Sequence, residues 1–485
     1  MGFIQTFLQR GVQRLGFFIV LALALRFPTF FRSVIDHDES TYLVIADAVR
    51  NGAMYWVDVI DVKPVGIFWL LGVLLEIAGR SVFWMRVIAA LFLALTAFLL
   101  SETKLRMGSN LIAAFAAGAI YLVLNSVFTF YGLSPNTETY FNLFTIAGFF
   151  LVLNIRNPWV FFPAGLFLGY GFLIKYVVLF DGVALGLFLL LTWREARSFT
   201  WTKMGSLVLL AFGFILPFAA TYAYYWLSGH GDTFLFYTFE VSGRYPVAAG
   251  FWDFVKSFLD VQLRFFPVFF FFYYALFRLS LDSDTRRLGI IWTLLVLVPI
   301  FVPGKFFGHY FIQLFLPVSF LAGEFFGRSK ASYPGFARLF MLPRVAFPII
   351  ALFFAGNWLL QKHDYIDRPD VPSQMAREIK GRLDAGDEVY MGNYHPIIYF
   401  MLGKKSPTPY IHRGLLWTEE HLYALNINQA KEIDQIIASK PDWVVVQDSL
   451  FSAKLNQEIR TMYNKVSKMK TEKGRELYLY QRIVR

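Results

Sequence analysis

At 485 residues, 57% of them hydrophobic and only 16% charged, with 56 Phe, 25 Tyr and 12 Trp, the chain is too apolar for a soluble globular protein. It contains no cysteine, which excludes disulfides and thiol chemistry. The net charge of +11 does not point to nucleic acid, because the basic residues sit in short loops between apolar runs, where they retain loops in the cytoplasm.

Apolar runs fill the chain up to about residue 361 and then stop. Runs near 16–32, 82–100, 110–130, 140–153, 159–173, 177–192, 204–227, 265–281, 288–302, 309–326 and 345–361 predict about eleven transmembrane helices. The first follows a basic start, Arg10 and Arg14, and no small-residue cleavage site ends it, so it is read as a span rather than a signal peptide. With a cytoplasmic N-terminus, the inner segments carry fifteen Lys or Arg in 68 residues and the outer segments eight in 102. That asymmetry fits the positive-inside rule, and an odd number of spans places the C-terminal domain outside the cytoplasm. IFWLLGVLLEIAG (Ile67–Gly79) rises only about 20 Å as a helix, too short to cross, and is expected to lie along the interface. The first outer loop then runs over 32–81, with interfacial helices near 41–51 and 66–79.

Residues 362–485 read as a soluble extracytoplasmic α/β domain following a transmembrane domain of residues 1–361. DEVYMG and DWVVVQ predict buried strands, PSQMAREIKGRLDAG and TEEHLYALNINQAKEIDQIIASK predict helices, and KVSKMK with RELYLYQRIV predicts a hairpin turning at Lys473–Gly474. GNYHPIIYF, with His395, is read as a strand-to-helix turn.

The first outer loop opens on IDHDESTYLVIADAV, a knot of polar residues from Asp36 to Glu39. Helix capping and metal ligation are the plain readings of such a knot. Further polar groups fall on the same side: Lys63 in DVKPVGIFW, Glu138 in YGLSPNTETYF, Lys175 and Asp181 in FLIKYVVLFD, and Lys305, His309, Tyr310 and Gln313 in PGKFFGHYFIQLFLP. Each alone has a bland explanation, a snorkelling lysine or a satisfied buried histidine. Together they put acids and bases on one face with no polar trail to the other, the pattern of a catalytic rim rather than a transport path. The aromatic cluster FFPVFFFFYY (Phe265–Tyr274) is assigned to packing, and Tyr245 and Trp252 are better candidates for stacking on a sugar.

The order DE…Y…A, then D-x-K-P…W, then a carboxylate opening the next outer loop, then K…HYFxxxxxP resembles the GT-C membrane glycosyltransferases, most closely the branch of the lipid A aminoarabinose transferases and protein O-mannosyltransferases. The resemblance covers about Arg10 to Gly327. It implies that Asp38 matches the essential first-loop aspartate and Lys63 a donor-binding lysine. Glu138 stands where the aminoarabinose transferases have Asp. Lys305, His309 and Tyr310 match a segment that approaches the lipid phosphate. Glu39, Lys175 and Tyr245 are further substrate-binding candidates. The implied reaction is inverting transfer of a sugar from a polyprenyl-phosphate donor to a hydroxyl of a glycolipid, glycan or protein at the outer face of the membrane. Asp38 takes the proton, Glu138 assists, and lysines meet the charge growing on phosphate. No obligatory metal is expected, though a divalent cation is compatible with the knot. The alternatives are a lipid or sugar transporter or flippase, and a scaffold that has lost chemistry.

Overall fold

The computed structural model describes residues 9–127, 132–196, 200–244, 250–302, 304, 306–328, 333 and 335–483. Each apolar run expected to span contains a helix among the described residues, from Gly11–Arg26 to Pro343–Lys362. Among the described residues, five helical segments are long and apolar enough to cross a membrane: Gly11–Phe31, Val82–Arg106, Trp201–Leu227, Gly308–Gly327 and the run beginning at Arg344. Leu111–Leu124 and Pro158–Ile174 are apolar but shorter. The protein is therefore an integral membrane protein by length and composition of its helices. His37–Arg50 and Gly66–Ala78 form helices where interfacial ones are expected.

One element departs from expectation. The stretch read as loop over 229–262 contains the helix Phe251–Arg264, which meets Phe266–Arg278 at a bend of 98°. Asp253, Lys256, Asp260 and Arg264 interrupt its apolar residues too often for a span, so it carried no long hydrophobic run. Among its residues Val261 is buried, while Phe251 and Trp252 are exposed.

The chain divides into two compact units. The first comprises residues 1–27, 86–221 and 247–361. Its helices approach closely through small residues: a Cβ on Gly165, Gly169 or Gly213 would run into the backbone of the facing helix, which joins Phe161–Ile174 to Trp201–Leu227. In a bilayer such contact is a main source of helix association. The phenylalanine cluster packs internally as expected, with Phe271 lying 4.6 Å from Phe325 and 4.9 Å from Phe326 by ring centroids. Buried Lys104 bonds to Glu324 (2.6 Å) and to the Phe320 carbonyl (2.7 Å), so a charge inside the helical unit is paired.

The second unit comprises residues 28–85, 222–246 and 362–485. Its sheet has the order β1–β2–β4–β3, with β1 Val389–Met391 parallel to β2 Trp443–Gln447. The closing hairpin, β3 Tyr463–Lys470 and β4 Glu476–Arg482, is antiparallel and turns through Gly474 at a φ of +74°. Buried Tyr390, Val444, Val446, Ile433, Ile436, Leu455 and Ile459 form the core between sheet and helices. The first loop belongs to this unit through real bonds. Ile60 N–H donates to the Pro409 carbonyl (2.7 Å), making a one-residue bridge between Ile60 and Tyr410. Arg32 donates to the carbonyls of Arg368 and Pro369 and pairs with Glu472, and Ser33 bonds to Asp370.

Candidate active site

In the second unit the helix His37–Arg50 begins with Asp36 at its N-cap and acids in its first turn, where they oppose the positive end of the helix dipole. Asp38 is not spent on capping alone. Its Oδ2 lies 3.4 Å from Lys63 Nζ and accepts a hydrogen bond from Tyr42 Oη (3.3 Å), one turn further along. Lys63 also sits 5.6 Å from the Tyr42 ring centre, a cation–π distance. Glu39 is buried and its Oε2 accepts from Ile35 N–H at 3.3 Å, which ties the loop entry to the helix start.

The loop that presents Lys63 is clamped by aromatic residues. The Tyr55 hydroxyl is within hydrogen-bond reach of the Asp61 (2.8 Å) and Lys63 (2.6 Å) carbonyls. Trp56 donates from Nε1 to the Asp61 carbonyl at 3.1 Å and stacks on Tyr237 at 5.4 Å. Trp56 itself has a φ of +66°, a conformation that a bulky residue keeps only where its surroundings enforce it. Burial and the neighbouring Asp38 carboxylate push Asp36 up to about 6. His37 stacks on His395 with ring centres 4.2 Å apart, and burial together with nearby cations pushes them down to about 2 and about 3. His395 thus occupies the turn between β1 and the helix Ile397–Leu402, and it also touches the first loop.

The first unit holds a second carboxylate–lysine pair. Glu138, in the opening turn of Thr137–Asn154, is buried, accepts from Thr137 Oγ1 (3.0 Å) and pairs with Lys175. Lys175 stands in extended backbone between Phe161–Ile174 and Val178–Glu195, so the break between two helices turns its side chain out of the helical pattern. Its Nζ lies 4.2 Å from the Tyr310 ring centre. Tyr310 and His309 share the short helix Gly308–Ile312 and meet edge to face at 4.7 Å, and His309 is close enough to act on the Glu138 charge. Asp181 accepts from Trp292 Nε1 and Gln313 Nε2, both at 2.6 Å, which satisfies it inside the helices.

Within their own units, then, the structure brings Asp38 to Lys63, and Glu138 to Lys175, His309 and Tyr310. Lys305 and Tyr245 lie outside the described residues. Trp252 is exposed. Among the described residues no three His, Asp or Glu side chains gather as a metal set. Tyr42 and Asp61 stand in the DE…Y…A and D-x-K-P patterns but were given no role by sequence, and Tyr55 and His412 were not singled out. Tyr42 could have been given a role, because it stands one turn beyond Asp38 on the same helix face.

Comparison with solved structures shows which fold the chain shares: it is the fold of ArnT. In particular, the chain is similar to ArnT from Cupriavidus metallidurans bound to undecaprenyl phosphate, with 14% identity, 96% of this chain and 97% of that chain covered, and a TM-score of 0.68. The apo state of the same ArnT aligns with 16% identity, the same coverage and a TM-score of 0.66. No protein-family model and no curated protein sequence matches the chain.

Proposed function

We propose that the protein is an inverting glycosyltransferase that moves a sugar from a polyprenyl-phosphate donor to an acceptor hydroxyl at the non-cytoplasmic face of the membrane. The observation that carries this reading is the Asp38–Lys63 pair, held on a clamped loop in a chain with the ArnT fold. That the matched ArnT was crystallised with undecaprenyl phosphate supports a lipid phosphate as the donor's leaving group. Eleven crossings, a cytoplasmic N-terminus and an extracytoplasmic C-terminal domain complete the proposal, supported by the distribution of Lys and Arg.

In the proposed reaction the acceptor oxygen forms a bond to the anomeric carbon while the bond from that carbon to the phosphate oxygen breaks. The acceptor proton passes to Asp38, and the electron pair leaves with the phosphate. Direct displacement inverts the anomeric centre. Lys63 both holds Asp38 ionised and supplies positive charge near the departing phosphate, where electrostatic stabilisation counts most. Glu138, held by Lys175, is assigned to assisting the base or binding the acceptor. His309 and Tyr310, with Lys305, are assigned to the lipid phosphate, and Glu39 to binding substrate while it ties the loop entry to the helix turn that carries Asp38. The acceptor is a glycolipid, a glycan or a protein hydroxyl.

Asp38→Asn tests the base. It keeps the side-chain size but cannot accept a proton, so transfer of radiolabelled sugar from polyprenyl phosphate in membranes is expected to fall by about 10²–10⁴-fold, with the protein at normal levels in the membrane. Wild-type transfer in that variant refutes the assignment.

A further inference from the structure

The C-terminal segment that bonds to the first loop carries a histidine directly to the proposed base. After the bridge of Ile60 to Pro409 and Tyr410, the chain continues as IHRGLLW, and His412 Nε2 comes to 4.0 Å from Asp38 Oδ1. The other ring nitrogen is already committed. Nδ1 accepts a hydrogen bond from the Gly414 N–H at 3.2 Å, so neutral His412 carries its proton on Nε2, the nitrogen that faces the carboxylate. Gly414 is part of this arrangement, because a Cβ there would lie 3.3 Å from Nδ1 and Cε1 of the ring. The Gly414 carbonyl, in turn, lies 3.3 Å from His421 Nδ1, which fixes the far side of the turn.

The two oxygens of Asp38 are therefore approached from different parts of the chain. Tyr42 and Lys63 act on Oδ2, and His412 faces Oδ1. We propose that His412 is a positioning residue for Asp38: its Nε2–H, selected by the Gly414 amide, closes onto Oδ1 when substrate binds and fixes the plane of the carboxylate that receives the acceptor proton. This rests on the reading of Asp38 as the base. Catalytic hydrogen bonds that are long in an empty site commonly shorten in the substrate complex, and a move of about 1 Å suffices here. The charged and titratable groups facing His412 include Asp38, Asp61, Lys63, Arg413, His37 and His421, and burial together with the two cations pushes it below the usual histidine range. It is thus a neutral donor at neutral pH, with its tautomer set.

The test uses two variants that differ only in reach. In His412→Gln the amide nitrogen can take the place of Nε2, whereas in His412→Asn it stops near the position of Nδ1. Purified full-length protein, loaded with undecaprenyl phosphate so that the contact is closed, is treated with a water-soluble carbodiimide and glycine ethyl ester across a pH series, and modification of Asp38 is located by tandem mass spectrometry. A donor to a carboxylate favours its ionised form, so losing it raises the pH at which Asp38 becomes half-protonated and reactive. The midpoint is expected to move up by about one unit in His412→Asn and to stay at the wild-type position in His412→Gln. Equal midpoints in the two variants, shifted or unshifted, overturn the proposal. Labelling needs no turnover, so a wild-type protein inactive in sugar transfer would overturn the functional reading while leaving this coupling measurable.

Discussion

Asp38 and Lys63 show how much of a site can be carried by neighbours of ordinary type. The aspartate is one turn from Tyr42, and the loop of the lysine is gripped by Tyr55 at the Lys63 carbonyl and by Trp56 at the Asp61 carbonyl, so aromatic side chains do the aligning while the charges face each other. The acid knot and the lysine were legible in sequence because polar residues stand out against so apolar a background. His412 was not legible, because 374 positions separate it from Asp38 and nothing local in IHRGLLW marks it. The stacked pair His37–His395 gives a pH effect whose sign is defined. They are held neutral down to about 2 and about 3 respectively, whereas an unfolded chain protonates them near the ordinary value of 6.5. The unfolded state therefore binds more protons as pH falls below about 6.5, and stability is lost in that direction. Asp36 works against this between 3.8 and about 6, because its raised value makes the folded state the better proton binder, but it is one group against two. The apparent melting temperature of the purified protein is expected to fall from pH 6.5 to 4, to fall less steeply in His37→Gln or His395→Gln, and to fall least steeply in the double variant, where buried His412 still contributes. An unchanged acid slope in the double variant refutes the assignment of the effect to this pair.

The helices were predicted in type and position because hydrophobic runs and their breaks are written continuously along the chain. Phe251–Arg264 was missed for the converse reason: its apolar residues recur at helical spacing among four charges, so they never accumulate into a run. The Glu138–Lys175 pair was only half legible. Each residue could be seen at the end of an apolar run, but the extended backbone at Lys175 that turns it toward Glu138 follows from how two helices pack. Packing through Gly165, Gly169 and Gly213 makes a sharper prediction. Replacing Gly165 by Leu inserts a branched side chain where the facing backbone already lies, so the helices Phe161–Ile174 and Trp201–Leu227 must part. A loss of about 1–3 kcal/mol or more is expected, read as a lower detergent-solubilised melting temperature and a reduced yield of folded protein. A variant as stable as wild type would show that the contact does not hold the pair together.

At the scale of the whole molecule, the first loop is built into the same compact unit as the C-terminal residues, although more than 275 positions lie between their nearest ends. The sequence displayed the α/β pattern of 362–485 but not its bonds to Arg32, Ser33 and Ile60, since backbone pairing between distant segments leaves no periodic trace. A chain truncated after residue 361 loses these partners. Tryptic cleavage at Arg50 and Arg80 is expected to accelerate at least several-fold relative to the intact protein, because buried backbone groups of the loop lose their partners and the loop opens. Equal cleavage rates would show that the loop holds its shape unaided.

The single bridge at Ile60 also constrains how such proteins can be recombined. A hybrid that takes its membrane helices from one homologue and its tail from another joins an Ile60 strand edge to a foreign counterpart of Pro409–Tyr410, and misregister there by one residue displaces Lys63 and His412 together. Crossovers that travel with both segments preserve the alignment. Exchanging loop and tail as a matched set thus keeps a register that exchanging either one alone puts at risk.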